Sequence, residues 1–232
     1  MGNRPKLLYR DKMLKDIEKD SVILDLSSFH KDVIFPERYE VVAYTENGDS
    51  TVIHEDEKGI WIQKGNDIQS IPGSNNPISL PSFEGFRYGK VLRVLHQEIL
   101  FNIKDSRLYP NLFTYDSVWL RDAAMGAMVL EKTGNLPLLA KWLDTLSEVY
   151  DIQNEEREGD NIGEFLFLKS LSPTGLNHND LLRVNREISL RKVLSAEGTY
   201  IKGITDGADN DYYCTAWLKY ALMRMQDDTA NE

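Results

Sequence analysis

The chain has 232 residues, of which 41% are hydrophobic and 28% are charged, a composition typical of a folded globular protein and unlike that of a disordered one. This length suits one domain of ordinary size, or a small domain attached to a larger one. The formal net charge is -10, and the 27 lysines and arginines are scattered among acidic residues, so the sequence offers no basic surface to a nucleic acid.

The first part of the chain predicts a small antiparallel β-sheet. The Asn47-Gly48 pair is a strong signal for a hairpin turn, and Lys58-Gly59 is a second turn signal. Around these turns lie four short runs rich in β-forming residues: 22–24, 39–44, 51–53 and 60–62.

A domain boundary is predicted where the chain loses all regular periodicity. The segment from Ile71 to Pro81 contains three prolines and follows neither a helical nor a strand period, as in a linker or a long surface loop. We therefore expect a β-rich segment with its linker at residues 1–80 and a helical domain at residues 81–232.

The helical domain is predicted from apolar residues that recur with the period of an α-helix. Gly134-Asn135 ends one candidate helix, and Pro137 is suited to begin the next. The pattern predicts an array of helical hairpins, with six candidate helices at about 86–104, 116–133, 136–150, 162–172, 179–197 and 211–226.

One of these helices places a carboxylate within an apolar stripe. On a helix, Asp122 shares a face with Val118, Met125 and Val129. Because a buried carboxylate without a partner costs several kcal/mol, Asp122 needs a cationic or hydrogen-bonding partner, or must face a polar cavity. We expect it to point inward, toward a polar group.

Arg121 and Trp119 lie beside this carboxylate and allow two interpretations. A guanidinium and a carboxylate can bind adjacent sugar hydroxyls while an indole stacks on the ring, which would make the three residues a hexose subsite. The alternative is a structural ion pair beside a core tryptophan. The residues by themselves do not choose between the two.

The segment Phe113-Thr-Tyr-Asp-Ser-Val-Trp-Leu-Arg-Asp-Ala-Ala124 resembles the Trp-x-Arg-Asp-Ala/Ser-Ala motif of glucoamylase-like, six-hairpin glycoside hydrolases. The resemblance implies a mainly α fold: an incomplete (α/α)6-type helical toroid, preceded by the small antiparallel β-rich segment. It also implies that Arg121 and Asp122 bind hydroxyls of a terminal glucosyl unit, and we expect Trp119 to hold the same sugar.

A second segment, Gly159-Asp-Asn-Ile-Gly-Glu-Phe-Leu166, resembles a block of the same family in which an inner helix begins near the substrate. It implies that Asp160 and Glu164 contribute to substrate binding. Asp160 is also a natural N-cap, and Glu164 in the first turn would stabilise the helix start, so a capping role explains both residues equally well.

A third segment, Gly203-Ile-Thr-Asp206, aligns with the family's Gly-x-Trp-Glu, which carries the catalytic acid. Asp206 is then the candidate general acid, although Thr205 replaces the tryptophan and the carboxylate is one methylene shorter. An ordinary Asp-Gly turn at Asp206-Gly207 is the alternative.

These segments lead to competing functions. The first is hydrolysis of a terminal glucosyl unit of an oligosaccharide by an inverting mechanism, which requires a general base as well as an acid. In the resembled family that base lies further toward the C-terminus than this chain extends. The alternatives are a non-catalytic sugar-binding or assembly protein, a fragment of a longer glycosidase, a homo-oligomer that completes the toroid and, more remotely, a polysaccharide lyase using Tyr212 or Tyr213.

Other classes of site lack support in the sequence. Cys214 is the only cysteine, and the four histidines have no metal-ligand spacing, so we predict neither a metal site nor a cofactor. No segment approaches the ~20 apolar residues of a membrane span, and we expect no membrane partner. The start of the chain lacks a signal-peptide pattern, which predicts a cytoplasmic location.

Overall fold

The computed structural model describes residues 3–151 and 157–229. Within these residues the chain forms six α-helices, two short 3-10 helices and fourteen strands in five antiparallel sheets. Strands account for 25% and helices for 36% of the described structure. The prediction of a mainly α, incomplete (α/α)6-type toroid is therefore wrong.

The error has two sources in the chain. The N-terminal region contains eight strands where the pattern predicted four runs. The predicted helix at 179–197 ends at Arg191, after which Lys192–Ser195 and Gly198–Ile201 form a hairpin. A second small hairpin follows at residues 204–209. β-Branched and aromatic residues such as Val193, Thr199 and Tyr200 favour strands in that segment.

The chain divides into two compact units. The first contains residues 1–103 together with 133–135, and the second contains residues 104–132 and 136–232. The boundary predicted at residue 80 falls inside the first unit, which also includes the first α-helix.

The first unit contains two antiparallel sheets. A three-stranded sheet has the order β1-β2-β3, and a five-stranded meander runs from β4 to β8. The bounds are β1 Leu7–Arg10, β2 Met13–Asp16, β3 Ser21–Asp25, β4 Lys31–Phe35, β5 Glu40–Tyr44, β6 Ser50–Glu55, β7 Ile60–Lys64 and β8 Asp67–Ser70. The hairpin predicted at Asn47-Gly48 is confirmed, with Gly48 at φ +88° between β5 and β6.

The two sheets of the first unit share one hydrophobic core. Leu14 from the small sheet packs into the same cluster as Val41, Ala43, Ile53 and Ile60 from the large one. Helix α1, Gly89–Phe101, belongs to the same unit and packs on a 3-10 helix at Pro36–Arg38.

The second unit contains the other five helices and three short hairpins, except that Ile103, the first residue of β9, is assigned to the first unit. All five helices overlap segments in which helices were predicted. The bounds are β9 Ile103–Lys104, β10 Arg107–Leu108, α2 Leu120–Lys132, a 3-10 helix Leu136–Leu139, α3 Ala140–Thr145, α4 Asn161–Ser170, α5 His178–Arg191, β11 Lys192–Ser195, β12 Gly198–Ile201, β13 Ile204–Thr205, β14 Ala208–Asp209 and α6 Asp211–Thr229.

Helix α4 is the centre of the second unit, and its residues 161–169 are all buried. It packs against α2, α3, α5 and α6, and most extensively against α6. Gly163 is at the closest point of the α4–α6 contact: a Cβ atom there would lie 2.4 Å from the backbone nitrogen of Leu218. The absence of a side chain at this position lets the two helix backbones approach.

Candidate functional site

Arg121, in the first turn of α2, is the centre of the candidate site. Its Nη1 atom donates to Asp160 Oδ2 at 3.3 Å and lies 3.7 Å from Glu158 Oε2, while its Nη2 donates to Asp206 Oδ1 at 2.7 Å. Burial alone would lower the pKa of the Arg121 guanidinium, but the hydrogen bond and charge of Asp206, together with Asp160, raise it. Arg121 therefore keeps its charge at any physiological pH.

The start of α2 is fixed by Asp151, a residue distant in sequence. Leu120 N donates to Asp151 Oδ1 at 2.8 Å, so this carboxylate satisfies one of the backbone N–H groups that a helix leaves unpaired at its start. Asp151 N in turn donates to Asn161 Oδ1 at 3.2 Å, and Asn161 Nδ2 donates to Asp151 Oδ2 at 3.3 Å. These bonds tie the start of α2 to the start of α4 and thereby hold Arg121 close to Asp160.

Replacing Asp151 with alanine is expected to destabilise the second unit by about 2 kcal/mol, because Leu120 N and Asn161 each lose a buried partner. Urea unfolding followed by circular dichroism measures this loss. Asp151→Asn is the matched control, since its amide keeps an acceptor oxygen for Leu120 N and should retain most of the stability. An equal loss in both variants would show that the cap does not depend on the acceptor.

Three carboxyl groups around the guanidinium are buried: Glu158, Asp160 and Glu164. Burial, reinforced by the charge of Asp160, raises the pKa of Glu164 to about 9. Burial likewise raises the pKa of Glu158 and, against the opposing effect of Arg121, that of Asp160. Because one guanidinium cannot compensate three buried negative charges, the cluster holds at least one proton at neutral pH.

The position of this proton follows from the hydrogen bonds. Asp160 Oδ1 and Glu164 Oε1 are both buried and have no hydrogen-bond partner among the described residues when both groups are ionised. The other Glu164 oxygen accepts from Asn161 Nδ2 at 3.0 Å. A proton on Glu164 supplies the donor for Asp160, in agreement with the raised pKa of Glu164.

Asp206 brings a third segment to the site. It lies in the two-residue turn that joins β13 to β14, with φ +52° at Asp206 and +74° at Gly207. The turn predicted at Asp206-Gly207 is therefore confirmed. The backbone N–H of Asp206 donates to Glu158 Oε1 at 2.7 Å, and its side chain is 72% exposed. The hairpin thus presents one solvent-facing carboxylate to Arg121.

Asp122 does not lie where the sequence pattern placed it. The face of α2 that is buried carries Leu120, Ala123, Ala124, Ala127 and Leu130, whereas Asp122, Met125 and Val129 are exposed. The inward orientation predicted for Asp122 is therefore wrong: small alanines pack closely on α4, and the larger residues of the apolar stripe remain outside. Partial burial raises the pKa of Asp122 against the opposing charge of Arg121, and the charge of Asp206 raises it further.

Trp119 directly precedes α2 and is half-buried. Its indole ring contacts the ring of Tyr115 edge to face, with 6.4 Å between the centroids. Tyr115 is 45% exposed, so the pair forms an aromatic surface that is partly open to solvent. The structure pairs Trp119 with Tyr115 and gives no contact between its ring and the Arg121 guanidinium within the described residues.

The capping role that the sequence offered for Asp160 is wrong. Asp160 occupies the N-cap position of α4, but its side chain makes no capping hydrogen bond and its backbone is helical. Its carboxylate is instead bound to Arg121. The guanidinium, a charged donor, replaces the backbone N–H groups that an N-cap aspartate usually binds.

Of the predicted site residues, the structure brings together Arg121, Asp160 and Asp206. Glu164 is buried in the first turn of α4, and Asp122 follows Arg121 at an exposed position of α2. The sequence interpretation missed Asp151, Glu158 and Asn161. Glu158 precedes the Gly159-Asp160 pair, so its position next to a predicted site residue was the available signal. Asp151 and Asn161 had no such signal, because their pairing depends on the packing of α2 against α4.

Comparisons with known protein families, with curated proteins and with solved structures found no match for this chain in any of the three. Among residues 3–151 and 157–229, no three histidine, cysteine, aspartate or glutamate side chains are arranged to hold a metal ion. Over the same part of the chain, no helix has the length and the apolar character needed to cross a membrane.

Proposed function

We propose that the second unit binds the terminal glucosyl unit of an oligosaccharide at Arg121, Asp206 and Asp122. The observation that supports this most directly is the position of Arg121 between two kinds of carboxylate. Fully buried Asp160 holds the guanidinium in place, and exposed Asp206 lies 2.7 Å from its other end. A ligand therefore meets a fixed donor beside a solvent-facing acceptor.

The chemistry of these groups fits a neutral ligand rich in hydroxyl groups. A guanidinium carries five N–H donors, and two hydrogen bonds from Arg121 are formed with described residues. Asp206 and Asp122 add acceptor oxygens, so adjacent sugar hydroxyls can donate to one group and accept from another. Because the donor is already held by Asp160, binding costs little of its side-chain entropy.

The three segments that resemble glucoamylase-like enzymes meet at one point, which further supports the proposal. Arg121 comes from the first segment, Asp160 from the second and Asp206 from the third, although 85 residues separate the first from the last. The aromatic surface of Trp119 and Tyr115 near the start of the same helix offers a place for a neighbouring sugar ring to stack.

The test is a calorimetric titration of the protein with maltose and maltotriose. We expect saturable binding that Asp122→Asn and Asp206→Asn each weaken about tenfold, because each loses a charge-assisted hydrogen bond. Asp209→Asn, in the same hairpin as Asp206, is the matched control and should bind as the unaltered protein does. Absence of heat with either sugar, or equal affinities in all variants, would contradict the proposal.

Hydrolysis of the bound sugar is the second candidate function. It is favoured by the neighbourhood of Glu158 and Asp206, since burial raises the pKa of Glu158 while Asp206 faces solvent. Two carboxyl groups in such unlike surroundings are typical of acid–base pairs. The ion pair of Asp206 with Arg121, however, suits a binding group better than the proton donor that hydrolysis requires. Release of glucose from maltose, lost in Asp206→Asn, would favour hydrolysis over binding alone.

A further inference from the structure

The first unit contains a separate cleft of about 600 Å³, formed by the loop that precedes α1, the first turn of α1 and part of the 3-10 helix. Its lining includes three aromatic rings, Phe83, Phe86 and Tyr88, of which Phe86 and Tyr88 are well exposed. Arg93 also lines this cleft and has no role in the Arg121 site.

Arg93 is a buried cation for which the described residues supply no anion. Arg93 is only 9% exposed. Its Nη1 atom is buried and has no hydrogen-bond partner in the described part of the chain. Its guanidinium lies 3.2 Å from the centroid of the Tyr39 ring. Burial, with no carboxylate to oppose it, lowers the pKa of Arg93 to about 10.

Stacking on Tyr39 explains the position of this guanidinium but not its unpaired N–H groups. A cation–π contact offsets part of the free energy lost when a cation is desolvated. A buried N–H group without an acceptor keeps the full free-energy cost of its own desolvation. Buried arginines are normally paired with a carboxylate or another oxyanion. The missing partner is therefore the observation that points to a ligand.

The start of α1 adds a second source of positive potential to the same cleft. Its N-cap residue, Tyr88, makes no side-chain capping bond, and no acidic residue lies in the first turn. Gly89 lets the chain turn tightly here, because a Cβ atom at this position would lie 2.4 Å from Phe83 O. Lys90 follows, with its ammonium 2.9 Å from Glu37 Oε1. The cleft lining contains three cations, Arg87, Lys90 and Arg93, against two acidic residues, Glu37 and Glu84. Together with the uncapped N–H groups, this balance favours a negative group in the cleft.

We propose that this cleft binds a small ligand through an oxyanion, a carboxylate or a phosphate, with Arg93 as its main partner. The N-terminus of α1 and the Lys90 ammonium also favour a negatively charged group on the ligand. The rings of Phe83, Phe86 and Tyr88 contact the apolar part of the ligand. The cleft shares no residue with the sugar site proposed for the second unit.

The test is a titration of the whole chain, followed by amide NMR, with inorganic phosphate in one arm and benzoate in the other. Chloride holds the ionic strength constant in both. We expect saturable shifts at residues of the cleft in at least one arm, and the arm that saturates identifies the oxyanion. Arg93→Met should weaken this binding tenfold or more, since it removes a charge-assisted contact.

Two comparisons keep the result decisive. Arg93→Met removes an unpaired buried charge and is expected to fold, and Lys90→Ala, whose side chain is 80% exposed, tests the same cleft without altering its core. Arg10→Met, at an exposed arginine of the same unit, is the matched control and should leave binding unchanged. Failure of both titrations to saturate, or equal affinity in Arg93→Met and Arg10→Met, would overturn the proposal. Asp122→Asn should have no effect on this cleft.

Discussion

Replacing Gly163 with alanine is expected to destabilise the second unit by about 3 kcal/mol or more. The added Cβ atom would lie 2.4 Å from both Leu218 N and Trp217 C and 2.7 Å from Trp217 Cβ. Two of these atoms belong to the backbone of α6, so no rotation of a side chain relieves the overlap. The helices α4 and α6 must move apart, and the core between them loses its packing.

Urea unfolding of Gly163→Ala, followed by tryptophan fluorescence and circular dichroism, measures this effect. Gly126→Ala is the matched control, because Gly126 is a half-buried glycine in the interior of α2, where alanine normally favours a helix. We expect Gly126→Ala to be neutral or slightly stabilising. Similar stabilities for the two variants would show that the close approach of α4 to α6 does not depend on Gly163.

The stability of the second unit is expected to fall as the pH rises from about 5 to about 9, and Glu164 is expected to be the largest single cause. The pKa of Glu164 is raised from 4.5 to about 9 in the folded chain, so the folded state keeps a proton that the unfolded state releases. The stabilisation is complete below the unfolded pKa and is lost as the pH approaches the folded pKa. Where the difference of one proton is complete, the slope is about 1.4 kcal/mol per pH unit.

Glu164→Gln should reduce this slope and make the protein more stable than the unaltered chain at pH 8, by about 2 kcal/mol or more. The amide is neutral, and its NH2 group can still donate to Asp160. Burial raises the pKa of Asp151 to about 6. In Glu164→Gln, Asp151 therefore still makes the stability fall with rising pH, but with a smaller slope. Glu197→Gln removes an exposed acid and is the matched control. A slope in Glu164→Gln as steep as in the Glu197→Gln control would show that Glu164 is ionised in the folded state.

The sequence predicted the positions of the helices better than those of the strands, and the turns explain why. Helical periodicity extends over many residues, so all six helices overlap predicted segments. Strands β1 and β2 are four residues each, and the two-residue turn between them is Asp11-Lys12, with φ +51° and +59°. Aspartate tolerates a positive φ, but the second turn position holds lysine where glycine is usual, so the local signal for this hairpin is weak.

The face of a helix was harder to predict than its position. In α2 the conspicuous apolar stripe contains Met125 and Val129, yet the residues buried in the core include Ala123, Ala124 and Ala127. Alanines carry little weight in a hydrophobic pattern, but they permit a closer approach between helices. Arg121, Asp160 and Asp206, three of the predicted site residues, meet in the structure. The roles of Asp151 and Glu158 depend on contacts across 31 and 48 residues, which no local pattern encodes.

Binding of a saccharide at the Arg121 guanidinium can be followed by NMR of the arginine side chains during a maltose titration. In the unaltered protein we expect the Arg121 Nε and Nη resonances to shift and saturate together with the amides of Asp122 and Asp206, while those of Arg107 and Arg183 in the same unit stay in place. Shifts spread equally over all the arginines, or unchanged Arg121 resonances at saturating maltose, would contradict the assignment of a sugar site to this part of the molecule.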